Sequence, residues 1–297
     1  MIRRSLFLTA ALCLFTASLA SADYQPFVGV SYQHVEYSIG AYPVAYDLVD
    51  IDLSAPGISF LVTESNGAAP RDTNRETTLD YVSRVHAQIG INANFFNPFD
   101  GSQVSGDPTS LGGLSASNGD VYSAWSASWP AVTIDKNNDV KFLTSAPNPA
   151  TVYNAVAGNY RIVAGGVAQV FNFAPLSPDR FPDAHTAIGL TSNKHLLLLT
   201  VDGRSPTHSV GLSINALGAL MASLGAQDAI NLDGGGSTTM VLADSSPRVV
   251  NVPSGTLRPV GNNLAVFARP VPEPGSLALL GLGAGMLLVV RVKRSAR

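Results

Sequence analysis

The sequence predicts an α+β fold, a mixed, strand-rich single domain with a few helices packed on the sheet. Three observations predict it. Short stretches of alternating apolar and polar residues recur along the chain, only two segments have helical spacing, and each of these runs directly into an apolar strand. Residues 23–270 contain no linker and no internal repeat, so we expect one domain.

The alternating stretches cover most of the chain between its two ends. They are FVGVSYQHVEYSI, AYDLVDIDL, ISFLVTES, AVTIDKNNDVKFLT, TAIGLTSNKHLLLLTVDG, AINLD, TTMVLA and NNLAVFA. In the fifth stretch, residues 192–194 predict a hairpin turn. His185 and the group of Asp202 and Arg204 should therefore lie near the same end of two paired strands.

Two segments predict helices, residues 77–90 and 213–225, because each begins at a hydroxyl residue and ends at a glycine. INANFF follows the first and AINLD follows the second. This repeated order predicts that the two strand ends lie side by side in the sheet. The apolar positions are Leu79, Val82, Val85 and Ile89 in the first helix, and Leu217, Leu220, Met221 and Leu224 in the second.

The N-terminus predicts a secretory signal peptide over residues 1–22. Arg3 and Arg4 precede an apolar run, and small residues follow at 20–22, where signal peptidase is expected to cut. The single cysteine, Cys13, falls inside this segment, so the mature chain has no cysteine and no disulfide.

The C-terminus, residues 271–297, has Pro-Glu-Pro at 272–274, an apolar run at 275–290 and a basic tail. This order predicts a membrane segment with its positive end inside. It resembles the PEP-CTERM sorting signal of exopolysaccharide-producing Gram-negative bacteria, which an exosortase recognises and removes. The resemblance implies an exported protein of the cell envelope or extracellular surface; a plain C-terminal anchor is the alternative.

Net charge excludes one class of partner. Without the two ends, 12 Lys and Arg and 20 Asp and Glu remain, for a net charge of about −8. Phosphate backbones select basic surfaces, and no basic stripe is visible in the remaining sequence. We therefore expect no nucleic-acid partner.

Polar residues stand where predicted strands end. Asn92 and Asn94 fall on one face of a strand, which is typical either of hydrogen-bonded core amides or of site lining. Arg204 follows a glycine and can present two parallel donors to a phosphate or carboxylate, or it is an ordinary surface arginine.

The stretch AINLDGGGSTTMVL is the strongest local candidate for a site. Asp233 ends an apolar strand, and the three glycines that follow let backbone amides converge on an anion. A tight turn without chemistry is the alternative. The stretch is not a Walker loop, and no zinc motif such as H-E-x-x-H occurs.

The segments INANFF, TAIGL, VDGR, SINALGALMASLGAQDAINLDGGGSTTMV and RPVGNNLAVF, in this order, resemble the phosphodiester glycosidase family over about residues 85–268. The resemblance implies hydrolysis of a sugar 1-phosphodiester in a phosphorylated sugar or polysaccharide. Cleaving the anomeric bond develops positive charge on the sugar and negative charge on the departing phosphate, so such a site needs a carboxylate and nearby cations.

Carried over by position, Asp233 is the expected catalytic carboxylate and Asp202 its reserve. Sugar hydroxyls are assigned to Asn92 and Asn94. The departing phosphate is assigned to His185, Arg204, Gly234, Gly235, Gly236, Ser237, Thr238 and Arg258.

Two positions depart from the family pattern. His185 stands where the family usually has arginine, and Leu257 where it commonly has glutamate. His185 would bind phosphate when protonated, or it marks a different glycan. A non-catalytic surface protein that binds exopolysaccharide is therefore the competing hypothesis.

No cofactor is predicted from the sequence. A metal-dependent phosphodiesterase would need a ligand cluster that is not visible. Ca²⁺ held by Asp233, Asn92 and backbone carbonyls stays open as an unproven option.

Overall fold

The computed structural model describes residues 24–98 and 104–272. The predicted signal peptide at 1–22 and the predicted apolar segment at 275–290 lie outside these ranges. Within the described residues, no helix is both long and apolar enough to cross a bilayer.

The described chain forms four antiparallel sheets and two short helices, which confirms the predicted strand-rich α+β class. The largest sheet has eight strands, in the order β1-β2-β3-β17-β16-β18-β14-β15. Their bounds are β1 Tyr24–Phe27, β2 Val30–Ile39, β3 Tyr42–Asp52, β14 Tyr160–Ala164, β15 Val167–Ala168, β16 His185–Thr191, β17 His195–Val201 and β18 Ala226–Asn231.

The other three sheets are smaller. One five-stranded sheet has the order β20-β19-β6-β21-β4, with β4 Ser59–Val62, β6 Ile89–Asn92, β19 Met240–Leu242, β20 Arg248–Val249 and β21 Asn263–Phe267. A second has the order β10-β9-β13-β11-β12, with β9 Ser115–Ser117, β10 Asp120–Ser123, β11 Ala131–Ile134, β12 Val140–Phe142 and β13 Asn154–Ala157. The three-stranded sheet has the order β5-β8-β7, with β5 Thr73–Asn74, β7 Phe96–Asn97 and β8 Pro108–Leu111.

The main core lies between the eight-stranded sheet and the two five-stranded sheets. The larger sheet contributes residues such as Ile51, Leu198 and Ile230, and the facing sheets contribute residues such as Ile91 and Val132. Burial of these apolar side chains supplies most of the free energy that holds the layers together.

The two helices cover the outer faces of the sheets. Helix α1, Thr78–Val85, packs on β6 and β19, and helix α2, Ile214–Ser223, packs on the opposite face of the eight-stranded sheet. Thr77 and Ser213 cap them as predicted, each accepting a bond from an amide three residues ahead. Helix α1 ends earlier than predicted, because His86 adopts a left-handed conformation and Gly90 lies inside β6.

The predicted hairpin is confirmed, since His185 lies opposite Val201 in the β16–β17 pair. The expectation that the strands after the two helices lie side by side is wrong. β6 pairs with β19 and β21, whereas β18 pairs with β14 and β16. Each strand takes two neighbours in its own sheet, and the two strands meet across the core instead, because Ile91 and Ile230 pack in one buried apolar cluster.

Candidate active site

Asp233 lies where the ends of β6 and β18 meet across the core. The backbone N–H of Asp233 donates to the carbonyl of Ala93 at 2.8 Å, and the side-chain amide of Asn92 donates to the backbone carbonyl of Asp233 at 2.6 Å. Leu232 before it is fully buried, whereas Asp233 itself keeps partial access to solvent. These bonds hold the backbone of Asp233 against the end of β6, at a partly accessible position.

The residues after Asp233 form a 3-10 turn, Gly235–Ser237, and four amides in and beside this turn bond inside the protein. The Gly234 amide donates to Asp233 Oδ1 at 2.9 Å, and the Gly235 amide donates to the Ala184 carbonyl at 2.8 Å. The next two bonds run from Ser237 N to Gly234 O at 3.1 Å and from Thr238 N to Gly235 O at 3.2 Å. These four amides do not converge on a common anion, contrary to the expectation from the glycine run.

The glycines instead make room for two arginines. A Cβ atom on Gly235 would lie 2.5 Å from Arg204 Nη2, and one on Gly236 would lie 2.3 Å from Arg258 Nη2. Real Cβ atoms do not approach other atoms so closely, so only glycine lets both guanidinium groups lie against the turn. The cationic side chains, rather than the amides, provide the capacity to bind an anion here.

Arg204 is oriented by Asp183, a residue that the sequence did not single out. Its Nε and Nη2 donate to the two carboxylate oxygens of Asp183 at 2.7 and 2.9 Å. These bonds raise the pKa of Arg204. Burial opposes ionisation of Asp183, but bonds from Arg204 and the Ala184 amide lower its pKa below the usual range.

Arg258 reaches Asp233 through a hydroxyl. Its Nη1 donates to Ser237 Oγ at 3.2 Å, and the Ser237 hydroxyl donates to the Asp233 carboxylate. Burial lowers the pKa of Arg258 and the Asp233 charge opposes that shift. An arginine stays protonated at any physiological pH, so a cation stands beside the carboxylate.

The Asp233 carboxyl is tuned by its surroundings. Burial raises its pKa from 3.8 to about 6, against the opposing effects of the Ser237 hydroxyl, the Arg258 charge and the Gly234 amide. Such a carboxyl is ionised at neutral pH and still basic enough to accept a proton. A partly accessible carboxyl with these properties is suited to general base chemistry.

His185 lies beneath the turn and faces inward. It is 7% exposed, its Nε2 lies 2.8 Å from the Leu212 carbonyl, and its Nδ1 lies 3.1 Å from Asn231 Oδ1. Burial lowers its pKa, so the ring is neutral at pH 7. In this arrangement His185 supports the turn, and the protonated form that would bind phosphate is disfavoured.

Asn92 and Asn94 are both 0% exposed, so in this structure neither reaches a sugar hydroxyl. Asn92 Oδ1 accepts from the Thr186 hydroxyl at 2.7 Å and from the Thr239 amide at 3.1 Å. Asn94 donates to two carbonyl groups and accepts from the Ala157 amide and Asn262. Of the two interpretations that the sequence left open, the geometry favours core amides, and Asn92 also bonds to Asp233 and Thr239 on either side of the turn.

Asp202 is 1% exposed and its carboxylate is surrounded by donors. His208 Nε2 lies at 2.8 Å, Asn251 Nδ2 donates at 3.1 Å, and the Val252 amide donates at 3.0 Å. Asn251 also donates to the carbonyl of Thr238 at 3.2 Å. The contacts favour a positioning role, in which Asp202 holds the 251–252 segment against the Gly-rich turn.

We expect Asp202→Asn to lower stability more than chemistry. One carboxylate oxygen becomes an NH2 group that faces other donors, so about 2–4 kcal/mol of unfolding free energy should be lost. Thermal unfolding and steady-state kinetics on the same sample measure both effects. If the variant keeps the wild-type melting temperature but has no activity, Asp202 is a catalytic residue and not a positioning residue.

The described residues do not provide a set of side-chain ligands for Ca²⁺. Among the described residues, no group of three or more His, Cys, Asp or Glu side chains is arranged to hold a metal ion. Asn92 cannot turn its carbonyl to an ion without breaking its bonds to Thr186 and Thr239.

Comparison with known proteins identifies the family and the fold. The family model for phosphodiester glycosidases matches residues 86–267, and the PEP-CTERM protein-sorting motif matches residues 270–294. That motif marks exported, C-terminally sorted cell-surface proteins of Gram-negative bacteria. No curated protein matches the sequence significantly.

Solved structures share the fold at low sequence identity. The catalytic domain of zebrafish N-acetylglucosamine-1-phosphodiester alpha-N-acetylglucosaminidase, auto-inhibited by its pro-peptide, has a TM-score of 0.65 at 16% identity, over 86% of this chain and 87% of that one. A hypothetical protein from Synechocystis has a TM-score of 0.63 at 15% identity, over 81% of this chain and 62% of that one. A Burkholderia pseudomallei protein described as exported has a TM-score of 0.64 at 14% identity, over 90% of this chain and 100% of that one.

The family model covers more than half of the chain and includes the strand, the Gly-rich turn and both arginines described above. The protein therefore belongs to the phosphodiester glycosidase family.

Proposed function

We propose that the protein is an exported hydrolase that cleaves a sugar 1-phosphodiester, or a related anionic glycan linkage, in exopolysaccharide or cell-envelope metabolism. Residues 23–270 form its catalytic domain. Signal peptidase removes residues 1–22, and an exosortase processes residues 271–297 after their apolar segment has anchored the chain in the membrane.

One observation carries the proposal: Asp233 is partly accessible and has a raised pKa, and Arg204 and Arg258 lie against the Gly-rich turn that follows it. The transition state of anomeric cleavage carries positive charge on the sugar and extra negative charge on the phosphate. The negative charge of Asp233 complements the positive charge on the sugar. The positive charges of Arg204 and Arg258 complement the negative charge on the phosphate.

The leaving group explains why one carboxylate suffices. A departing phosphomonoester has a second pKa of about 6, so it leaves as an anion and needs no proton from the enzyme. Asp233 is then free to act as the base: it takes a proton from water, the water oxygen bonds to the anomeric carbon, and the carbon–oxygen bond to phosphate breaks. The products are a free sugar and a phosphomonoester.

The residues around this centre position it. Asn92 bonds to the Asp233 carbonyl, and His185 bonds to Asn231 at the end of β18. Asp183 orients Arg204, and Asp202 holds the 251–252 segment beside the turn. Contact with substrate falls to Asp233 and the two arginines, whereas Ser237, which is 0% exposed, links Arg258 to Asp233.

The test is hydrolysis in water labelled with ¹⁸O. Full-length protein is incubated with N-acetylglucosamine 1-phosphodiesters, including UDP-N-acetylglucosamine, and with hexose 1-phosphodiesters. We expect equal amounts of sugar and phosphomonoester, with the label on the sugar. Label on the phosphate would mean cleavage of the phosphorus–oxygen bond and would overturn the glycosidase assignment.

A non-catalytic surface protein that binds exopolysaccharide is the second candidate. The neutral, buried His185 favours it, because the family usually supplies an arginine at this position. Failure to release sugar from any substrate, with glycan binding retained by both the native protein and Asp233→Asn, would select this role.

A further inference from the structure

Five titratable side chains form a continuous chain between β2, β3 and the end of β17, in which carboxylates and imidazoles alternate. In order they are Asp47, His34, Glu36, His208 and Asp202, which together we name the acid–imidazole chain. The distances are 2.9 Å from Asp47 Oδ1 to His34 Nδ1 and 3.4 Å from His34 Nε2 to Glu36 Oε1. They are 3.9 Å from Glu36 Oε1 to His208 Nδ1 and 2.8 Å from His208 Nε2 to Asp202 Oδ2.

Both nitrogens of each imidazole face a carboxylate. A neutral imidazole carries one N–H and one lone pair, so it can donate to only one of its two carboxylates. An imidazolium ion donates from both nitrogens, and its charge also favours the 3.9 Å contact, which is an ion pair rather than a hydrogen bond. The geometry therefore suits two imidazolium ions placed between three carboxylates.

The two ends of the chain are buried and its centre is open to water. Asp47 is 0% exposed and Asp202 is 1% exposed, whereas the side chain of Glu36 is 66% exposed. Between them, the side chains of His34 and His208 are 38% and 26% exposed. Protons can thus reach both imidazoles from solvent. The charges of the buried carboxylates depend on these imidazoles, because a buried carboxylate without a counter-charge is unstable.

The groups around Asp47 and His34 favour the protonated pair. The Tyr32 hydroxyl donates to Asp47 Oδ1 at 2.6 Å, whereas Asp47 Oδ2 has no hydrogen-bond partner in the described part of the chain. Burial raises the pKa of Asp47 to about 6, and the nearby Asp202 charge acts in the same direction. Burial lowers the pKa of His34, but its two carboxylates outweigh this effect and raise the pKa above 6.5. Burial also raises the pKa of Tyr32, and the charge of Arg248 on β20 opposes that rise.

Both shifts have the same sign for stability. The pKa values of Asp47 and His34 are higher in the folded chain than in the unfolded chain. The contribution of Asp47 is therefore full below about pH 4 and falls as the pH rises through 6, and that of His34 is full below 6.5 and falls above it. The chain is stable in acid and weakens toward alkaline pH.

The 203–209 loop, which contains His208, is held at its two ends by bonds outside the acid–imidazole chain. At its start Arg204 binds the Asp183 carboxylate. At its end the Ser209 hydroxyl donates to the backbone carbonyl of Asp202 at 2.6 Å. These bonds do not depend on the charge of the imidazoles.

The tip of this loop, residues 205–208, is tied to β2 by the contact between His208 and Glu36. We propose that the acid–imidazole chain is a pH-operated latch, which holds the loop tip against β2 while both imidazoles are protonated and releases it from β2 when they lose their protons. The released segment directly follows Arg204, so a pH-sensitive element lies beside the candidate active site. The latch does not depend on the proposed function, because no substrate takes part in it.

Amide hydrogen exchange of the full-length protein at pH 5 and pH 8, corrected for the intrinsic effect of pH on exchange, tests the latch. We expect the amides at 205, 207 and 208 to be about 2- to 5-fold better protected at pH 5, the range that corresponds to an exposed ion pair. Glu36→Gln should remove this difference, because it deletes the carboxylate that the loop tip contacts. Glu64→Gln is the matched control, since it breaks an exposed pair with Arg84 and should leave the loop unchanged.

A second variant and the histidine ring shifts complete the test. His208→Gln keeps a donor toward Asp202 but carries no charge, so protection of the loop tip should be low and equal at both pH values. Equal protection at the two pH values in the native protein, a difference that persists in Glu36→Gln, or neutral rings of His34 and His208 at pH 5 would overturn the latch. All these measurements are made without substrate, so their outcome is independent of whether a sugar 1-phosphodiester is cleaved.

Discussion

Asp233→Asn is expected to reduce hydrolysis by about 1,000-fold or more without lowering the stability of the fold. The asparagine fills the same volume and still accepts the Gly234 amide, but it takes no proton from water and gives no negative charge to the developing oxocarbenium ion. Sugar release under saturating substrate measures the first effect, and thermal unfolding at pH 7 measures the second.

The stability effect follows from the pKa of Asp233. The pKa of Asp233 is about 6 in the folded state and 3.8 in the unfolded chain, so this group's contribution to stability is full below pH 4 and falls as the pH rises to 6. At pH 7 the buried charge costs the native state about 1–2 kcal/mol after allowance for its partial exposure. The asparagine variant should therefore melt at or above the native temperature.

The same pKa predicts the pH profile. Asp233 must be ionised to act as a base, so kcat/KM should rise with pH through about 6 and then level off. Asp139→Asn is the matched control, since it removes a carboxylate from an exposed ion pair with Lys141 and should change neither kinetics nor profile. Native kinetics in Asp233→Asn would exclude Asp233 as the catalytic group.

Arg258→Met should lower kcat/KM for a phosphodiester by about 100- to 1,000-fold, because it removes a preorganised cation from the point where negative charge develops. It should also shift the rising limb of the pH profile to higher pH, since the Arg258 charge lowers the pKa of Asp233. Arg248→Met is the control: it breaks a surface pair with Asp244 and should leave both quantities unchanged.

Gly236→Ala tests whether the position of the Arg258 guanidinium group matters, without removing the charge of Arg258. The new Cβ atom would lie 2.3 Å from Arg258 Nη2, so the guanidinium group must move off the turn. The single variants should have similar losses, and the double variant should lose little more than either, because both remove one interaction. Additive losses would show that the glycine and the arginine act independently, contrary to the geometry.

Local patterns were sufficient for much of the fold. Period-two stretches predicted the main strands, caps at Thr77 and Ser213 predicted both helices, and the turn at 192–194 predicted the β16–β17 hairpin. These features depend on interactions between residues close in sequence. The pairing of β6 and β18 with other strands depends on which apolar faces meet across the core, and that information is not local.

For the candidate site, too, some features could be predicted from the sequence and others depend on the fold. The sequence by itself marked Asp233, the Gly-rich turn, Arg204 and Arg258 as the chemical groups, through residue type and family resemblance. Which polar residues face inward depends on the folded chain, because burial and hydrogen-bond saturation arise from contacts between residues far apart in sequence. Folding turned Asn92, Asn94, His185 and Asp202 toward the interior and brought in Asp183. Folding also places the guanidinium groups of Arg204 and Arg258 against Gly235 and Gly236, a contact between segments that are distant in sequence.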